Sequence, residues 1–150
     1  MDDKKFAEEI EEILRYNQVQ KERLNARLDL ELISCSAQRR SAEYAFSVKE
    51  WSLNPYGGVH GGVICSLFDT SMGVGAVALS QKMVSTADLS VSYLRPMNGK
   101  RYLFYIEYTH LGKRLIRCTG KAVDEESGLV CATAMASFVA TESAKKGLQV

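Results

Sequence analysis

The sequence predicts an α+β fold in which an antiparallel sheet wraps one central helix, and three observations carry that expectation. The run from Gly61 to Leu79 is apolar on nearly every side, as a buried helix is. The segments before and after it alternate apolar with polar residues, as half-buried strands do. The four strand candidates that follow it are divided by short turn signals, PMNG, HLGK and DEESG. Links that short join antiparallel neighbours, so a meander of four strands is expected.

Taken in order, residues 3–23 place Phe6, Ile10, Ile13 and Leu14 at helical spacing among charged residues, which describes an amphipathic helix lying over the body of the domain. This N-terminal helical extension, about 1–25, is expected to belong to a single domain of 1–150, because 150 residues with 46% hydrophobic content can bury one substantial core. From Arg27 the period changes. Leu28, Leu30 and Leu32 alternate with charged residues, then Ala42, Tyr44, Phe46 and Val48 alternate with polar or small ones, predicting two strands. WSLNPYGGVHGG, Trp51 to Gly62, is a loop by its Asn-Pro and glycines, and it delivers the chain to a helix running to about Ser80. Gly73, Gly75, Ala76 and Ala78 give that helix little bulk, so a curved sheet can approach it closely. The later strands are expected near 84–95, 101–111, 114–124 and 129–140.

Charge excludes some partners. The 19 basic and 18 acidic residues nearly cancel without a long run of one sign, so neither nucleic acid nor a membrane surface is an expected partner. The cysteines at 35, 65, 118 and 131 are widely spaced with no CxxC pair, and the acidic N-terminus lacks a signal-peptide core. Reduced thiols in a cytoplasmic protein are expected, with no metal site. Gly61 to Leu79 has almost the length of a membrane span, but Asp69 near its middle would cost about 2.5–3.5 kcal/mol there.

Asp69 is the informative residue. In HGGVICSLFD, His60 to Asp69, a carboxylate stands in an apolar run, and from His60 to Lys82 no cation is available to pair with it. Desolvation favours the protonated form of such a group and makes it a candidate acid or base. The helix start near Gly61 presents unpaired N–H groups and the positive end of the helix dipole, which stabilise negative charge on a bound oxygen. A glycine-rich loop and a structural Asp are the plainer alternatives. Together the two elements describe oxyanion stabilisation with base-assisted attack on a carbonyl, the logic of acyl transfer.

The pattern N-x5-HGG-x6-D, here Asn54, His60, Gly61, Gly62 and Asp69, followed by TADLSVSYLRP from Thr86 to Pro96, resembles the hotdog-fold acyl-CoA thioesterases of the PaaI type. The resemblance runs from about Trp51 to Val139. It implies a helix wrapped by an antiparallel sheet, homodimers that often pair into dimers of dimers, and hydrolysis of acyl-CoA to free acid and CoA. Coenzyme A is then part of the substrate, and no separate cofactor is expected. The resemblance also implies that the Gly61 N–H polarises the thioester carbonyl, Asn54 helps to place it, Asp69 activates water or attacks directly, and Thr86 orients that water. His60 would line the site and shape the loop. In the HLGKR turn, Gly112, Lys113 and Arg114 fall where relatives hold the nucleotide end of coenzyme A, so the two cations would meet its phosphates.

Helix geometry adds one expectation. Eight residues separate Gly61 from Asp69, about 12 Å along the axis and roughly 80° around it. One carbonyl carbon cannot lie beside both groups of the same helix. If both act on it, two helices must run antiparallel across a two-fold axis, with Gly73 and Ala76 easing their approach. Two rival readings use the same architecture: an acyl-thioester hydratase or dehydratase with His60 as base, and an acyl-CoA binding module without catalysis.

Overall fold

The computed structural model describes residues 1–144; residues 145–150, the end of the predicted domain, lie outside the described residues. Helix α1 (Asp3–Gln18) is capped by the Asp2 side chain, which accepts from the Lys5 N–H at 2.7 Å. Its buried face carries Phe6, Ile10 and Ile13. A short α2 (Leu24–Leu28) follows, then β1 (Glu31–Ser36) and β2 (Ser41–Ser47). The loop from Val48 leads to α3 (Gly61–Ser80), and β3 (Lys82–Tyr93), β4 (Arg101–Leu111), β5 (Leu115–Asp124) and β6 (Val130–Ala144) complete the order.

Two sequence expectations are corrected here. The first helix ends at Gln18, and Leu28 closes α2 instead of opening a strand. The reversal occurs at Asp29, whose φ of 49° lies in the left-handed region that Asp tolerates better than most residues. The second correction concerns the meander. All neighbouring strands are antiparallel, but the sheet order is β1-β2-β4-β5-β6-β3, so β3 pairs with β6 and never with β4. The PMNG segment is a link across the end of the sheet. Leu94 and Arg95 donate to the Cys131 carbonyl at 2.8 and 3.0 Å, Val59 donates to the Met97 carbonyl at 3.0 Å, and Val48 donates to the Lys100 carbonyl at 2.8 Å. These bonds carry the chain stepwise from the β6 edge to β2, with Met97 buried as its anchor.

The core sits between α3 and the concave face of the sheet. Leu67, Phe68 and Met72 are fully buried against Tyr44, Phe104 and Ile106, and the Phe68 and Phe104 rings meet edge to face at 5.0 Å. By length and composition α3 would suffice to cross a membrane, but most of its residues are buried inside this sheet. Small residues permit the close approach. A Cβ on Gly75 would collide with the Tyr108 hydroxyl, which donates to the Met72 carbonyl at 2.6 Å, and a Cβ on Gly120 would lie 2.7 Å from Ile106 Cδ1. Ala76 also faces this core, fully buried, so it offers nothing to a second helix. The cysteines are free, and burial pushes the Cys118 thiol up to about 12.

One side of α3 escapes the sheet. Gly61, Cys65, Asp69 and Gly73, each four residues from the last, form a half-exposed stripe. The candidate site lies along it.

Candidate active site

The loop before α3 is shaped by Asn54. Its Oδ1 accepts from the N–H groups of Tyr56 and Gly58 at 2.8 and 3.2 Å, while its own N–H donates to the Gly58 carbonyl at 2.7 Å. Two N–H donors fix the amide's orientation, so Nδ2 keeps its two N–H groups, with no partner among the described residues. Gly57 sits at φ 89° in this tight turn. A side chain on Gly58 would come within 2.8 Å of Asn98 Oδ1.

His60 is the N-cap of α3. Its Nδ1 accepts from the Gly62 N–H at 2.9 Å, so the lone pair of that nitrogen is engaged in the cap. A hydratase reading would need a His60 nitrogen turned to the substrate as base instead. A Cβ on Gly62 would lie 3.1 Å from Nδ1, so a side chain there would press on the capping ring. The Gly61 N–H, at the first helical position, has no partner among the described residues. An unpaired N–H at a helix start can donate to a negatively charged oxygen.

Asp69 is half-buried where the sequence suggests full burial, because the sheet does not cover its stripe. Thr86 on β3 donates from Oγ1 to Asp69 Oδ1 at 2.6 Å. Its proton is committed to the carboxylate, which it holds in place, while the Oγ1 lone pairs stay able to accept from a water, as the expected role of Thr86 requires. Asp69 and Thr86 both line a cavity of about 510 Å³. Gly73, Val74 and Val77 of α3, Val84 of β3 and Phe138 of β6 give that cavity an apolar wall. Its roof comes from Ile13 and Tyr16 of α1 and from Asn25 of α2, whose Oδ1 accepts from Thr70 Oγ1 at 3.2 Å.

Gly61 opens on a different space. A cavity of about 590 Å³ at the helix start is lined by Asn54, Gly61, Ile64, Tyr93, Arg95 and Met97, among others, and does not include Asp69. Within one chain the structure therefore brings Asn54 to Gly61 and Thr86 to Asp69, and keeps the two pairs apart. Sequence reasoning missed Tyr93, whose hydroxyl donates to the Gly61 carbonyl at 2.7 Å. Desolvation pushes this hydroxyl above the usual tyrosine range, with the Cys65 thiol adding to the effect, so it remains a proton donor.

Gly112, Lys113 and Arg114 form the β4–β5 turn. A Cβ on Gly112 would lie 3.0 Å from the Leu115 carbonyl oxygen and 2.7 Å from His110 Nε2, so the turn leaves little room for a side chain there. Lys113 and Arg114 are exposed, and Lys82 joins them by donating from Nζ to the Lys113 carbonyl at 3.1 Å. The Ala140 N–H donates to the Arg114 carbonyl at 2.7 Å, and Ala140 pairs with Val84, which lines the Asp69 cavity. The three cations thus gather beside that cavity, without an ion pair among the described residues. Lys82, 31 residues distant in sequence from Lys113, carried no local signal.

A helix wrapped by a six-stranded antiparallel sheet, with a glycine helix start and a half-buried carboxylate on one stripe, defines a hotdog thioester hydrolase, and the chain belongs to the thioesterase superfamily, whose profile matches residues 56–131. Among solved structures it is similar to the PaaI protein of the E. coli phenylacetic acid degradation operon, with 16% identity over 96% of this chain and 99% of that one and a TM-score of 0.82. A thioesterase from Haemophilus influenzae shares 20% identity over 83% of this chain and 87% of its own, with a TM-score of 0.74. A Streptococcus mutans protein solved with acetyl-CoA shares 21% identity over 77% and 91%, with a TM-score of 0.69. No curated protein matches the sequence.

Proposed function

We propose that the protein is a cytoplasmic acyl-CoA thioesterase that hydrolyses an acyl-CoA to free acid and CoA at sites shared between two copies of the chain. The observation that carries this reading is the separation of Gly61 with Asn54 from Asp69 with Thr86 into two cavities on one helix. Placed antiparallel across a two-fold axis, each half would complete the other. The uncovered stripe of α3 supports such a pairing, and so does β3, a 12-residue edge strand none of whose residues is buried. Dimers would pair further through the outer face of the sheet, where Leu115, Met135 and Val139 are exposed. Four unpaired thiols fit a reducing compartment. The acetyl-CoA held by the Streptococcus mutans relative supports an acyl-CoA as substrate.

In this mechanism the Gly61 N–H and Asn54 Nδ2 of one chain receive the thioester oxygen. Asp69 of the other takes a proton from water as the water adds to the carbonyl carbon. The tetrahedral oxyanion strengthens both hydrogen bonds, its collapse breaks the C–S bond, and the proton on Asp69 passes to the departing thiolate. Lys82, Lys113 and Arg114 hold the nucleotide phosphates.

Two measurements test the reading. Thiol release from acetyl-, hexanoyl-, decanoyl- and benzoyl-CoA should show turnover of at least one; binding without release would make the protein an acyl-CoA binding module. Inactive Asp69→Asn and Asn54→Ala chains, dissociated and reassociated together, should recover activity in heterodimers that hold one intact site. Heterodimers confirmed by mass but inactive would exclude shared sites.

A further inference from the structure

Tyr93 closes β3 and stands outside the predicted chemistry, yet it touches the oxyanion donor's own residue. Its hydroxyl donates to the Gly61 carbonyl at 2.7 Å, and its ring lies 3.6 Å from where a Cβ on Gly61 would be. The N–H of the same peptide group, carried by Gly62, donates to His60 Nδ1 at 2.9 Å. The Gly61–Gly62 peptide is therefore held at both ends, in a series running from the Tyr93 hydroxyl through the peptide to the imidazole. Hydrogen bonds in series polarise and reinforce one another.

This clamp answers a physical problem. Two adjacent glycines at a helix start have wide conformational freedom, and first-turn N–H groups find no partner within the helix. Left alone, such a turn frays. An oxyanion donor must instead hold its direction, since a displacement of about 1 Å can cost about 100-fold in rate. The Gly61 N–H belongs to the preceding peptide, whose His60 carbonyl accepts from the Ile64 N–H at 3.0 Å; with the Gly61–Gly62 peptide also clamped, both planes that meet at Gly61 are fixed and the unpartnered N–H keeps one aim into the cavity it shares with Asn54. Tyr93 can do this because the β3–β4 link begins immediately after it, with Leu94 and Arg95 bonded to the Cys131 carbonyl, so its backbone is itself anchored.

We infer that Tyr93 is a positioning residue for the oxyanion site, acting through the Gly61 carbonyl and not through a contact with substrate. The inference rests on the thioesterase reading for its consequence in turnover, but the clamp itself is measurable without it. The test is Tyr93→Phe, which keeps the ring and removes the hydroxyl. Two readouts are taken: kcat and KM on the best acyl-CoA of the panel, and amide hydrogen exchange at Gly62 followed by NMR. The expected result is a kcat lowered about 10- to 100-fold with KM held within about twofold. Gly62 exchange should quicken about threefold to tenfold, the net worth of one hydrogen bond. A raised KM with kcat retained would make Tyr93 a substrate contact and overturn the inference. So would a lowered kcat with Gly62 exchange unchanged, or no change in either readout. If wild-type protein releases thiol from no acyl-CoA, the thioesterase reading fails by itself, and Gly62 exchange alone decides the clamp: faster exchange upholds it and unchanged exchange overturns it.

Discussion

In the proposed mechanism the chemistry at the Asp69 cavity is carried by side chains, a carboxylate steadied by the Thr86 hydroxyl at 2.6 Å, whereas at the Gly61 cavity it is carried by the main chain and one amide. The first can be deleted by changing one residue. The Gly61 N–H of the second cannot, because every residue has an N–H except proline, so apart from deleting the Asn54 amide, mutation reaches it only through the groups that aim it, His60 and Tyr93. The comparison teaches that the two halves should fail differently, the side-chain half by loss of a reacting group and the main-chain half by loss of alignment.

The largest effect should come from the Asp69 half. Asp69→Asn should lower kcat by about 10²–10⁴-fold with substrate binding kept, measured by thiol release at saturating acyl-CoA. A wild-type rate would remove Asp69 from the chemistry and break the comparison. Thr86→Val tests the support of the same half. A hydrogen bond to a charged group contributes about 1.5–3 kcal/mol, so kcat should fall by roughly 10- to 100-fold. If Thr86→Val is neutral, the carboxylate does not need its clamp.

Substrate grip should give a smaller change, and one confined to KM. Replacing Lys113 and Arg114 with Ala should raise KM for acyl-CoA by about tenfold and flatten its dependence on salt, because screened phosphate contacts are lost. A short thioester without the nucleotide should be handled unchanged. Equal loss on both substrates would take the turn out of phosphate binding.

The smallest effect belongs to the N-cap of α3. His60→Ala should destabilise the fold by about 1 kcal/mol through loss of the N-cap, read in urea unfolding, and His60→Asn should restore most of it because Asn also caps well. Restored stability together with restored turnover would confirm that His60 serves geometry and not proton transfer.

Which parts were legible in the sequence follows the same division. Asp69, His60 and the paired glycines are near neighbours along one helix, so spacing alone predicted both the helix start and the carboxylate's distance from it. The roof of the Asp69 cavity was not legible, because Tyr16 and Asn25 reach it only through the packing of α1 and α2 on α3, and nothing local marks them. Tyr93 stood inside the TADLSVSYLRP segment, but a tyrosine ending a strand reads as an ordinary β residue until its hydroxyl is seen on Gly61. The PMNG turn signal was misleading for a related reason. Proline, asparagine and glycine mark a change of direction equally well for a hairpin and for a link that crosses the sheet. Leu28, Leu30 and Leu32 misled because a five-residue helix is too short to show its period.

The crossing link has a consequence during synthesis. Lys82–Tyr93 leaves the ribosome well before its sheet partner, Val130–Ala144, exists, because β4 and β5 must be made in between. For that interval the chain carries a long strand with both edges unpaired, a species open to pairing with a strand of another nascent copy. Ser85, Thr86, Asp88, Ser90 and Ser92, spread along this strand, interrupt what would otherwise be a hydrophobic ribbon. Thr86 thus has a place in the finished site, and its polar neighbours on β3 keep the unpaired strand from being sticky.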